Sequence, residues 1–186
     1  MVSVRAVNAI TKKQLALRDQ LWPSAQSVIW DRKVNKGFAT IPKTMPIILR
    51  IMDEMGNGTR LSETYMTLWC STWDNSFASL AKQRDLAVAA GFTGNRAEYT
   101  WRTRAKKLAD LLFIDIKAGK SGLMSHALIL NPHLVIRWHY EQKTQGLSEA
   151  SFTTLIEWAL ELGAKDMTDD PSEAMDAFRK AAEGAA

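Results

Sequence analysis

The apolar residues of this chain change period at one place, and that change constrains what can be built around it. Trp101, Ala105, Leu108 and Leu112 recur at the spacing of one helix face. Directly afterwards Ile114, Ile116 and Ala118 alternate with Asp115 and Lys117, the period of a strand. Gly119-Lys120-Ser121-Gly122 is turn chemistry, and Leu123 to Leu130 reads as a returning strand. The spacing therefore predicts a helix over 95–112 that runs straight into a two-stranded hairpin over 113–130.

The remainder reads as helix. Thr11 and Gln14 have capping-box spacing and open a helix over 12–22 that Pro23 stops. Thr44 and Pro46 begin the next, over 44–56, with Ile47, Ile48, Ile51, Met52 and Met55 as its stripe. Ser62 caps a helix over 62–74 that places Tyr65, Met66, Trp69 and Trp73 on one face, and another follows over 80–90. Asn131-Pro132, Ser148 and Asp170-Pro171 open helices over 132–145, 148–163 and 171–182. Residues 23–42 show neither period. The expected fold is mainly α with one two-stranded hairpin. Three segments are expected: a basic helix and arm over 1–42, a central domain over 43–130, and C-terminal helices with an acidic tail over 131–186.

Charge is unevenly spread. Of 24 Lys/Arg and 20 Asp/Glu, residues 1–50 hold nine basic against two acidic, and residues 94–147 nine against four. Residues 148–186 reverse this, with three basic against nine acidic. Such asymmetry points to a polyanionic partner or a regulatory tail. No apolar run reaches the roughly 18–20 residues of a membrane span, and MVSVRAVNAITKK lacks a secretory layout. A cytoplasmic location is expected. The single Cys70 excludes an internal disulfide framework and reads as a small buried hydrophobe.

Residues 84–130 carry the functional signal. Leu86-Ala87-Val88-Ala89-Ala90-Gly91-Phe92 reads as a short helix of small residues ended by glycine. Thr93-Gly94-Asn95 turns the chain into the longer helix, and two helices so joined fit helix-turn-helix geometry. Burial of Trp101, Ala105 and Leu108 puts Asn95, Arg96, Tyr99, Arg102, Thr103 and Lys106 on or beside the opposite face. Residues 94–107 carry five Lys/Arg and one acid, Glu98, a make-up suited to a major groove. Helix, glycine turn, basic helix and hairpin together resemble the winged helix-turn-helix superfamily over about residues 84–130. The resemblance implies that the second helix reads DNA and that the hairpin, with Lys117, Lys120 and Ser121, acts as the wing. Arg32, Lys33 and Lys36 in the WDRKVNKGF stretch are expected to add phosphate contacts.

The expected function is sequence-selective binding of double-stranded DNA by a transcriptional regulator, with no enzymatic activity and no cofactor. Two alternatives stand beside it. One is a replication or partition factor of a plasmid or mobile element; the other is a protein-interaction adaptor that uses the winged helix without DNA. Trp138, Phe152, Leu155, Ile156 and Trp158 exceed what a small winged core needs, so two arrangements of the C-terminal helices stand open: packing onto the N-terminal helices of the same chain, or a homodimer interface. Gly119-Lys120-Ser121 is not a phosphate loop, because Ile114 stands where the first glycine is required. His126, His133 and His139 form no metal pattern and read as structural, and no Ser-His-Asp set emerges.

Overall fold

The computed structural model describes residues 4–24, 28–73, 75–167 and 172–184. The chain forms two compact units, residues 1–38 and 39–186. In the first, α1 (Val4–Leu21) ends just before Pro23. Thr11 lies within this helix rather than at its cap, because the helix begins a full two turns earlier. Asp31 then organises a turn: its carbonyl accepts from the Val34 and Asn35 amides at 3.0 and 2.7 Å, and its carboxylate from the Lys33 amide at 2.8 Å.

The second unit continues with α2 (Met45–Met55), α3 (Ser62–Cys70), β1 (Phe77–Ser79), α4 (Gln83–Ala89), α5 (Ala97–Asp110), β2 (Ile114–Gly119) and β3 (Gly122–Ile129). It closes with α6 (Pro132–Glu141), α7 (Glu149–Leu162), a short 3-10 turn at Lys165–Met167 and α8 (Ser172–Gly184). Eight α-helices and three strands are present among the described residues, a mostly helical architecture with one small antiparallel sheet. The start of α8 predicted at Asp170-Pro171 lies outside the described residues.

The sheet corrects the expectation of two strands. Its order is β1-β3-β2, with Phe77, Ala78 and Ser79 paired to Leu128, Ala127 and His126. The extra strand has three residues and only Ala78 points inward, so it offers no alternation to read. It takes up chain assigned to the link after α3, which stops at Cys70 rather than at residue 74. Trp73 consequently lies past the helix and is 82% exposed, and Cys70 is exposed rather than buried.

The core runs between α2, α3, α5 and the inner face of the sheet. Ile48, Ile51, Met52, Tyr65, Leu68, Trp101, Ala105, Leu108 and Phe113 are enclosed there. The Tyr65 ring meets Phe113 edge-on at 6.1 Å. Packing of α7 on α2 and of α8 on α6 uses the C-terminal apolar stripes inside this unit, burying Trp138, Phe152, Leu155 and Ala159. Leu160 and Leu162 are left exposed.

Two caps follow the sequence and two, at Thr11 and Ser62, do not. Asn131 accepts from the His133 amide and Ser148 from the Ser151 amide, at 3.0 and 3.2 Å. Ser62, however, does not cap α3. The Asp53 carboxylate, reaching from α2, accepts from the Leu61 and Ser62 amides at 2.6 and 2.9 Å and from the Ser62 hydroxyl at 2.7 Å. A charged acceptor there satisfies amides that the first turn of α3 leaves without helical partners. Asp53→Ala is therefore expected to destabilise the protein by about 1–3 kcal/mol in urea titrations, whereas Asp53→Asn retains part of that stability.

Candidate nucleic-acid interface

The candidate interface is built on α4, α5 and the β2–β3 hairpin. At the end of α4 the Gly91 amide donates to Val88 and the Phe92 amide to Ala87, both at 2.9 Å, with Gly91 at φ +83°. This is a Schellman closure, and it turns the chain sharply toward α5. The buried Ala87 and Ala90 supply the small surfaces over which α4 and α5 pack.

The far end of α5 closes in the same way without glycine. The Leu112 amide donates to Ala109 and the Phe113 amide to Leu108, each at 2.9 Å, and Leu112 takes φ +59°. The left-handed region costs an L-residue about 1–2 kcal/mol. Burial of Phe113 and Ile114 in the core offsets that cost and points β2 away from the helix end. The helix thus stops at Asp110, with Leu112 just beyond it rather than on its last turn.

The two faces of α5 separate as the spacing predicts. Trp101, Ala105 and Leu108 are fully buried, while Asn95, Arg96, Tyr99, Arg102, Thr103 and Lys106 are exposed. Arg104, one of the five basic residues of this stretch, is committed inward. Its guanidinium donates to Glu63 at 3.4 Å and lies 4.5 Å over the Phe92 ring, tying α5 to α3 and to the α4–α5 turn. Arg102 has only a long, exposed pairing with Glu98 at 3.9 Å, which holds it weakly.

Lys117, Lys120 and Ser121 are exposed on the hairpin. Lys117 lies 3.4 Å from Asp115 on the same strand. A cleft of about 390 Å³ joins the hairpin to the helices, lined by Lys82, Gln83, Arg84, Glu98, Arg102 and residues 121–124. Lys82 and Arg84 are both exposed and were not legible as site residues. They belong to the start of α4, and only the fold carries them to the hairpin. Gln83 fixes that approach by donating its side-chain amide to the Met124 carbonyl at 3.0 Å. Arg32, Lys33 and Lys36 are exposed in the first unit, where the Arg32 guanidinium lies 5.4 Å from the Phe38 ring centroid.

No protein-family profile, curated protein or solved structure matches this chain. Its chemistry has to be read from its own residues.

A second polar constellation escapes the sequence altogether. His133 Nδ1 donates to Asp166 at 3.0 Å, and its Nε2 lies 2.7 Å from the Thr44 hydroxyl. The order hydroxyl, imidazole, carboxylate is that of a nucleophile relay. Thr44, however, is 1% exposed, so its oxygen meets protein rather than a substrate. The relay instead fastens the start of α2 to α6 and to the turn before α8. Among the described residues no cluster of His, Cys, Asp or Glu is arranged to hold a metal ion, and no helix is long and apolar enough to cross a membrane.

His139 is the other buried imidazole. Its Nε2 donates to the Leu111 carbonyl at 2.8 Å, directly behind the turn that follows α5, and its Nδ1 lies 2.9 Å from the Thr144 hydroxyl. Burial lowers its pKa below the ordinary histidine value and outweighs the opposing bond to Leu111. Burial pushes the Asp166 carboxyl up, but bonds from Asn131 and His133 outweigh it and hold it below its ordinary value. The two shifts act in different pH windows. Below about pH 6.5 the unfolded chain protonates His139 while the folded one resists, so stability falls as pH drops toward the folded value. Asp166 contributes stability above its unfolded value of about 3.9, and this is lost as pH falls through its lower folded value. Denaturant titrations are expected to show wild-type protein losing stability from pH 7.5 to 5.5, and His139→Gln losing less over the same interval.

Proposed function

We propose that this chain binds double-stranded DNA in a sequence-selective manner as a transcriptional regulator. In this reading α4, its turn, α5 and the β2–β3 hairpin form a winged helix-turn-helix. The face of α5 enters the major groove and the hairpin lies along the adjoining backbone. The observation that carries the reading is the continuity of one exposed basic surface: Arg102 lines both the cleft shared with the hairpin and a second, along α5, formed with Glu98, Tyr99, Thr103 and Lys106.

The residue types divide the labour. Arg102 and Arg96 carry planar donors suited to a guanine edge, and Asn95 suits an adenine edge. Thr103 keeps its hydroxyl on the Tyr99 carbonyl at 2.9 Å, leaving its methyl for a thymine methyl. Lys82, Arg84, Lys106, Lys117 and Lys120 place charge at phosphates, where contacts position the protein without reading sequence. The function needs no cofactor and no catalysis.

Arg102→Ala is expected to weaken binding to the preferred duplex by roughly 1–3 kcal/mol and to relax base preference at one position, with folding intact. Trp101→Ala is expected instead to destabilise the fold by about 3–5 kcal/mol. Neutralising Lys117 or Lys120 should weaken binding to all sequences alike and reduce the salt slope by about one unit each. Gel shifts over a salt series, on duplexes recovered by selection from a random pool, check all three. Affinity that does not change with salt overturns the reading. A recovered sequence found in repeated arrays rather than at promoters moves the assignment to a replication or partition factor.

A further inference from the structure

The tip of the hairpin holds a residue that phosphate binding does not explain. Leu123 is 84% exposed, the most exposed large apolar side chain among the described residues. It stands just past the two-residue connection Lys120-Ser121, after the Gly119–Gly122 pair that closes the hairpin. Nothing in the fold uses its side chain, while Met124 beside it is buried.

The stem beneath it is tightly determined. The strand register slips between Lys117 and Gly119, where Ala118 of β2 stands against Leu123, Met124 and Ser125, so the bulge lies on β3 and includes Leu123 itself. A Cβ at Gly119 would come within 2.5 Å of His126 Nε2 and 2.9 Å of the Ser125 Cβ, so the strand reaches the tip only through glycine. The Ser125 hydroxyl donates to the Gly122 carbonyl at 2.7 Å, and Gly122 takes φ +111°. Leu123 is presented on a hairpin whose shape is set before any partner arrives.

The surroundings select the partner. Leu123 shares its cleft with Lys82, Arg84 and Arg102, and Lys117 and Lys120 flank the same tip. These five cations outnumber the two acids paired with members of the group, Glu98 at 3.9 Å from Arg102 and Asp115 at 3.4 Å from Lys117. A lone apolar side chain ringed by cations matches a polyanion that has an apolar interior. Stacked bases beneath a phosphate backbone are such a target, and proteins that bend DNA insert leucine between base steps of the minor groove.

Resting on the duplex-DNA reading above, we infer that Leu123 is a wedge that enters a base step of the minor groove beside the α5 site and kinks the bound duplex. The lysines hold the two backbones on either side, and Leu123 partly unstacks the step between them.

The test compares wild type, Leu123→Ala and Leu160→Ala, the last removing an exposed leucine on α7 far from the hairpin in sequence. The probes are duplexes recovered by wild-type selection from a random pool, labelled at both ends for energy transfer and carrying 2-aminopurine at successive steps. Wild type and Leu160→Ala are expected to bend the duplex by about 20–90° and to raise 2-aminopurine fluorescence at one step. Leu123→Ala is expected to lose about half or more of the bend together with the fluorescence rise. It is also expected to bind about tenfold more weakly. A mismatch that loosens the same step should restore most of its affinity. Binding by Leu123→Ala with an unchanged bend overturns the wedge and leaves the DNA reading standing. Failure of wild type to recover or retain any duplex overturns both.

Discussion

The enclosure of Trp101 orients everything that follows it in the chain. Its indole is fully buried in the core cluster that holds Tyr65, Leu68 and Phe113, and α5 packs on α3, α4 and β2, so burial sets the rotation of α5 about its own axis. With Ala105 and Leu108 on the same side, Arg102, Thr103 and Lys106 have only the outward face to occupy. The same packing admits Phe113 immediately after the helix, and the left-handed Leu112 is tolerated because that burial over-determines it. The direction of the hairpin therefore descends from the same core that presents the basic face.

Arg104 shows how such a core sorts residues of one chemical type. Arg102 and Arg104 are two positions apart, yet one faces solvent and the other bridges Glu63 and the Phe92 ring. The bridge braces the α4–α5 turn against α3, and a rigid turn keeps the exposed side chains of both helices in fixed relation. A site that recognises a partner by several weak contacts depends on that rigidity, since each contact adds only when its geometry is pre-set. The hairpin obeys the same rule through Gln83, Gly119 and Ser125, none of which needs to touch a ligand.

The C-terminal third packs on α2 through the apolar stripe of α7 and is braced by polar bonds, one of which crosses to Thr44 at the start of α2. His133 joins Thr44 and Asp166, the Arg137 guanidinium donates to the Asp166 carbonyl at 3.3 Å, and the Trp138 indole donates to Asp176 at 2.9 Å. These bonds place acidic residues against α6 in defined positions. His139, which reaches from α6 to the carbonyl of Leu111, links this region to the end of α5. The C-terminal helices thus support the candidate interface from behind and also bury Phe152 and Leu155.

Sequence alone determined the features written in local spacing: the two faces of α5, the shift from helical to strand period after it, the glycine closure of α4, and the caps at Asn131 and Ser148. Each depends on residues within about four positions of one another, where helix and strand geometry fixes who meets whom. Tertiary structure decided what depends on distant partners. Asp53 caps a helix eight residues away, Arg104 meets Glu63 across 41 positions, and Thr44 meets His133 across 89. The third strand exists only because β3 offers an edge to a segment too short to declare a period. Trp73 is exposed because α3 ends before it can carry it inward, and Cys70, the last residue of that helix, is exposed at its end. Lys82 and Arg84 reach the hairpin for the same kind of reason: separation along the chain says nothing about separation in space until the core has closed.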